Sequence, residues 1–302
     1  MSEEKAAAGR VTATGLVNVD RLLVAVSNID DATAAYTRMF GRAPSWHRIN
    51  RTGGTEHVCF YLENMGLELV ARCGPGIWGE HVVTHIEKKG EGIIALIFAS
   101  DDLVSTVEKL RAHDLPVIVM PENQGIDEAG RHRMWRTGIV DTQATRDFGI
   151  MLAQTYRHRN DRNEAPLRDG VSADAAVSGL DHVVVMTSDA DACKELFGDR
   201  LGIRLALDQS KPEWGMRQLF FRLAGITIEV CEPLDKSKVP EVDSLWGAVW
   251  TTSDIRAART RMLAEGAEVS DVRRGRAKGT EVVTIRPPTG GVPTLLIGKS
   301  DT

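Results

Sequence analysis

The sequence predicts an α+β fold: four βαβββ modules in tandem, paired into two similar halves. The first observation is a phrase written twice. Residues 17–30 read VNVDRLLVAVSNID and residues 178–191 read SGLDHVVVMTSDAD, with Asp, an apolar run, Ser and Asp in matching places. The second is a constant offset of 161 residues, which joins Arg21 to His182, Phe60 to Phe221, Leu62 to Leu223, and Glu68 in MGLELVA to Glu229 in GITIEVC. A repeat of this kind means two copies of one structural plan, each of ordinary domain size, about 150 residues. The third is that each half restarts midway, at GIIALIFAS (92–100) and at GAVWTTS (247–253).

The first module opens with a strand over 19–26. A helix starts near Asp30, where Ala32, Ala35, Tyr36, Met39 and Phe40 fall at helical spacing, and Gly41 ends it. Strands are expected around Trp46, over 57–63 and over 67–71. The second module reads as strand 92–100, then the helix DDLVSTVEKLRAHDL with Leu103, Val107 and Leu110 on one face, then strands in VIVM, HRMWRTGIV and FGIMLAQ. The charged stretch RHRNDRNEAPLRDGVSADAA (157–176) reads as a linker. It separates a module pair over 16–156 from one over 177–302, and residues 1–15 are expected to be a flexible N-terminus. The third module repeats the first. The fourth is strand 247–253, the helix SDIRAARTRMLAEGA capped by Ser253, and strands in EVVTIRP and PTLLIG.

Composition narrows the function classes. Of 302 residues, 42% are hydrophobic and 26% charged, as in soluble globular proteins. A formal net charge of -5 gives no global case for nucleic acid. No apolar run is long enough to cross a membrane, and MSEEKAAAGR lacks the apolar core of a signal peptide. Cys59, Cys73, Cys193 and Cys231 form no CxxC pair, so free thiols in a cytoplasmic protein are expected.

Four βαβββ modules, with LDHVVV opening one and TIEV or LELV closing strands, resemble the vicinal oxygen chelate superfamily. That group includes glyoxalase I, extradiol dioxygenases, methylmalonyl-CoA epimerase and the bleomycin resistance proteins. The resemblance covers roughly residues 16–298. It implies two glyoxalase/dioxygenase-like domains, each curled into a cleft. It also implies metal ligands on a module's first strand (His) and last strand (Glu). A bound ion of this kind lowers the pKa of water or holds vicinal oxygens of a substrate.

Carried over by position, the pattern gives His182 and Glu229 in module three, as metal ligands or as acid and base. Module one has Arg21 in the His position and keeps Glu68, which implies a structural charge pair. Module two offers Ala95 or a neighbour at the His position and Met151 at the Glu position, and module four offers Gly247 and Thr294. The implied cofactor is one divalent metal (Zn, Fe, Mn or Ni) with an incomplete ligand set, or none. Cys231, two residues from Glu229 on the same strand face, is readable as a thiolate ligand or as a packed apolar residue. His57, His81 and His85 are further imidazoles only by elimination, and surface histidines are the simpler reading.

Substrate contacts are expected from Trp214 and Phe220 in WGMRQLFFRL, as an aromatic floor, and from Arg273 and Arg276 in RRGRAKGT. A matching basic run, GRHRMWRTG, carries Arg131, His132, Arg133 and Arg136. Each also has a plain reading, core packing or a solvated hairpin. The expected partner is a small anionic oxygenated molecule, with a homodimer as the expected assembly. Three functions fit: a lyase, isomerase or dioxygenase-like enzyme working in the C-terminal cleft; a metal-free binding or resistance protein; and a non-catalytic scaffold.

Overall fold

The computed structural model describes residues 11–126, 132–155 and 164–300. Most of the expected flexible N-terminus, the start of the expected linker and Arg131 lie outside these residues. Module one is β1 (Leu16–Ala25), α1 (Ile29–Phe40), β2 (Trp46–Asn50), β3 (Thr55–Tyr61) and β4 (Gly66–Arg72). After α2 (Ile77–Lys89), module two is β5 (Gly92–Ser100), α3 (Leu103–Ala112), β6 (Val117–Val119), β7 (Asn123–Ile126), β8 (His132–Val140) and β9 (Ile150–Thr155). Module three is β10 (Gly179–Met186), α4 (Ala190–Lys194), β11 (Arg204–Lys211), β12 (Met216–Leu223) and β13 (Ile226–Pro233). Module four is β14 (Ser244–Thr251), α5 (Ile255–Ala264), β15 (Arg273–Arg274), β16 (Thr280–Ile285) and β17 (Thr294–Lys299).

Each half is one sheet. The N-terminal order is β2-β3-β4-β1-β5-β9-β8-β6, with β7 paired to β8; the C-terminal order is β11-β12-β13-β10-β14-β17-β16-β15. The first strands of two modules meet at each centre: β1 runs antiparallel to β5, and β10 to β14. Residues at the 161-residue offset hold equivalent places, since Leu23 pairs with Glu68 on β1–β4 and Val184 with Glu229 on β10–β13.

Strand alternation divides each sheet into two faces. One face and the helices α1, α3, α4 and α5 send their apolar residues into a single core that joins the halves. The Phe40 and Trp250 rings meet edge to face at 4.8 Å, and Phe148 lies 6.0 Å from Phe197. Arginines tie the backbones across the same seam. Arg42 donates from Nε to Val177 O and from Nη1 to Ala165 O, both at 2.8 Å, and Arg261 Nη2 donates to Met39 O at 2.9 Å.

The structure departs from the sequence expectations in four places. The described part of the linker is packed: Ala165, Ala175 and Ala176 are buried. The α5 cap is Asp254, whose carboxylate accepts from the amides of Arg256 and Ala257, rather than Ser253. Asp254 therefore satisfies amides that Ser253 sits one residue too early to reach. Strand β7 is additional. The largest departure is α2. It lies on the face of the N-terminal sheet away from the shared core, where Val82 and Ile86 pack against Leu23, Ala25, Val70 and Ile94.

Candidate functional site

Antiparallel pairing sets the C-terminal cleft face residue by residue. Phe220 on β12 stands opposite Glu229 on β13, and Gln218 stands opposite Cys231. Leu219, Phe221, Ile228 and Val230, between them, belong to the core. Across the centre, His182 faces Val249 on β14. Glu229 and His182 thus project from adjacent strands into one cleft, as period-two alternation requires.

There they meet. His182 Nε2 lies 3.1 Å from Glu229 Oε2, and His182 Nδ1 lies 2.7 Å from Asp181 Oδ2. Gln218 Nε2 donates to the second Glu229 oxygen, and the Cys231 thiol approaches it at 3.6 Å. Burial works to discharge the imidazole. The hydrogen bonds and charges of Asp181 and Glu229 outweigh it and raise His182 to about 9. Burial likewise pushes Glu229 up, but the His182 hydrogen bond and charge, with Cys231 and Gln218, bring it below the ordinary carboxylate value. The resting pair is an imidazolium and a carboxylate. Burial and the Glu229 charge push the Cys231 thiol well up, so without an ion it is a protonated donor to Glu229.

The remaining expected residues line the rim. Trp214 ends the turn between β11 and β12 and is 36% exposed, so it is no floor to the cleft. Its ring carries the Arg276 guanidinium at 4.7 Å and Lys211 Nζ at 5.7 Å. Trp214 comes from one edge of the sheet and Arg276 from the hairpin at the other. Their contact therefore joins the two edges of the curled sheet. Arg273 is exposed and donates from Nη2 to Thr284 Oγ1 at 2.9 Å.

The N-terminal half carries the same cluster with different chemistry. Arg21 Nε lies 2.8 Å from Glu68 Oε2, and Nη1 lies 2.9 Å from Asp20 Oδ2. His57 Nδ1 donates to Glu68 Oε1 at 2.8 Å, and its Nε2 accepts from Thr55 Oγ1 at 2.9 Å. Burial is the largest influence on His57 and holds it below its ordinary value, so it is neutral. Burial raises Glu68, yet Arg21 and His57 leave it far below the carboxylate range. His57 is therefore a half-buried partner of Glu68, against the surface reading. The offset that joins Arg21 to His182 also joins His57 to Gln218 and Asp20 to Asp181. Applied to every polar residue, it would have found both. His81 and His85 stand on α2, outside this cluster.

The donor set falls short of a resident metal. A catalytic ion ordinarily has three protein ligands, and among the described residues no group of three His, Cys, Asp or Glu is placed to hold one. The module-four positions close the question for that strand pair. A Cβ on Gly247 would stand 2.9 Å from Pro293 O. The strand register puts Leu295, beside Val249, on the cleft face. Thr294 instead turns to the buried side with Leu296 and bonds Val292 O at 2.7 Å, which corrects its expected place.

Residues 181–284 match a family described as the Glyoxalase/Bleomycin resistance protein/Dioxygenase superfamily. No curated protein matches the sequence. Among solved structures, a triple mutant of 4-hydroxymandelate synthase from Streptomyces coelicolor is 16% identical, with 95% of this chain and 93% of that chain covered and a TM-score of 0.71. The Mn(II)-bound glyoxalase from Novosphingobium aromaticivorans is 15% identical, with 96% and 83% covered and a TM-score of 0.60. At these identities the likeness is one of fold.

Proposed function

This chain has the two-domain fold of the vicinal oxygen chelate superfamily, and from that premise we propose that it is an enzyme. Its C-terminal cleft would move a proton on a small, oxygenated, anionic organic substrate, as a lyase or isomerase does. The observation that supports this is the buried His182–Glu229 pair, in which each group holds the other's charge. A substrate oxygen accepting from His182 Nε2 takes the place of Glu229. Glu229 then loses its main stabilising partner while its burial, the largest influence on it, remains. Its basicity rises when the substrate is in place. It takes the proton from the carbon beside the substrate carbonyl, the electron pair moves onto the carbonyl oxygen, and the imidazolium holds that oxyanion. Return of the proton at another position is isomerisation, and loss of a neighbouring group is a lyase step. Arg276, seated on Trp214, supplies positive charge at the rim.

The donors among the described residues do not complete a metal site, so no step is routed through an ion. The loss of donors at Gly247 and Leu295 also favours a second reading, a binding protein without chemistry. A thermal-shift screen of oxo and hydroxy acids, followed by turnover of any ligand found, tests the proposal. Glu229→Gln, which changes charge but hardly shape, is expected to abolish turnover and to lower stability by no more than the His182 pair supplies. Glu68→Gln is expected to lower stability and spare turnover. Loss of activity in Glu68→Gln with retention in Glu229→Gln would place the chemistry in the wrong half. Binding without turnover in the wild type would favour the binding protein.

A further inference from the structure

The two concave faces treat apolar surface differently. In the N-terminal half, Leu23, Ala25, Val70 and Ile94 are covered by α2 through Val82 and Ile86. In the C-terminal half, α4 and α5 send their apolar residues to the shared core, and among the described residues no helix packs on the concave face. Yet that face carries an apolar stripe. His182 stands opposite Val249, Val249 beside Leu295, and Ile297 opposite Val282. Their neighbours Ala248, Trp250, Leu296 and Val283 point into the core, so alternation commits the stripe to the cleft. The cleft is thus divided. The module-three side holds His182, Glu229, Gln218 and Cys231 with Phe220 among them, and the module-four side holds Val249, Leu295, Ile297 and Val282 with Thr284 beside Leu295. Leu295, Ile297 and Val282 are only half-buried.

We propose that the ligand of this cleft is amphipathic: an oxygenated anionic head meets His182 and Glu229, and an apolar body lies along Val249, Leu295, Ile297 and Val282. This rests on the function proposed above for the head and on the stripe alone for the body. Burying such a body removes from water the half-buried Leu295, Ile297 and Val282 side chains. The body would run along the sheet from the carbon that Glu229 deprotonates.

The test uses the full chain and two probe series, straight-chain 2-oxo acids of three to seven carbons and primary alcohols of matching length, each titrated calorimetrically. Every added methylene is expected to tighten Kd about fourfold in both series, and the oxo acids are expected to bind more tightly than the alcohols by a constant factor. Leu295→Thr and the near-isosteric Val282→Thr should each flatten the dependence on length and leave the three-carbon acid unchanged. An affinity independent of length in both series, or no binding in either, would overturn the proposal. A length dependence without the constant factor would keep the apolar subsite and overturn the reading of the head. An unchanged slope in both variants would place the apolar body elsewhere.

Discussion

Glu229 and Glu68 hold the same place in two copies of one motif, and their partners decide what each can do. Glu68 is fixed by Arg21, a cation that does not give up its proton, and by a neutral His57. Removing one partner of a buried pair costs on the order of 3–5 kcal/mol. Arg21→Met should therefore destabilise strongly, and Arg21→Met with Glu68→Leu should recover much of the loss; additive losses in a thermal double-mutant cycle would dissolve the pair. His182 differs because it titrates. Its folded value of about 9 stands above the ordinary 6.5, so its stabilising contribution is complete below pH 6.5 and disappears as pH rises through about 9. Unfolding curves of wild type and His182→Gln should accordingly converge across that interval. A gap constant from pH 6 to pH 10 would show that the imidazole is not held charged. The residues that make these clusters were only partly legible. His182, Glu229, Arg21 and Glu68 follow from the repeated phrase. His57 does not announce itself, because one histidine in a half-polar strand looks like a surface residue until its 161-residue counterpart, Gln218, is considered.

At the scale of elements, strands whose apolar runs stand clear of their surroundings were legible almost to the residue; GIIALIFAS is β5 over its whole length. Helix α2 was not. It has no side-chain cap, begins after Gly76, and buries only Gly79 and Val82 fully. Its stability comes from lying over the sheet, a tertiary cause that local periodicity does not carry. The exchange of Thr294 for Leu295 at the cleft has a similar origin, since a one-residue choice of register reverses every side chain. The cover that α2 provides is testable. Val82→Asp places an unpaired carboxylate between α2 and the sheet and should cost about 3 kcal/mol or more. Ile297→Asp on the uncovered stripe should cost far less. Equal losses in chemical denaturation would mean that both clefts are closed alike.

At the scale of the molecule, duplication has given two clefts on one core, and the halves have diverged in what they keep. The N-terminal cleft has an arginine-clamped carboxylate, and a helix covers apolar residues of the same face. The C-terminal cleft has a titratable pair that no helix covers among the described residues, a cation at its rim and an apolar wall. The shared core, sealed by Phe40 against Trp250 and by arginines reaching across the seam, holds both sheets in one structure. In the proposed reading the N-terminal half is a support for the half that reacts. The central claim is that His182 and Glu229 form the whole reacting set of that working half. Its most direct test follows deuterium uptake by proton NMR at the carbon beside the carbonyl of 2-oxohexanoate, with protein before and after exhaustive chelation. Catalysed uptake is expected at the same rate in both samples and at the uncatalysed rate in Glu229→Gln. Uptake that is lost on chelation and restored by a divalent ion, or that persists in Glu229→Gln, would contradict it.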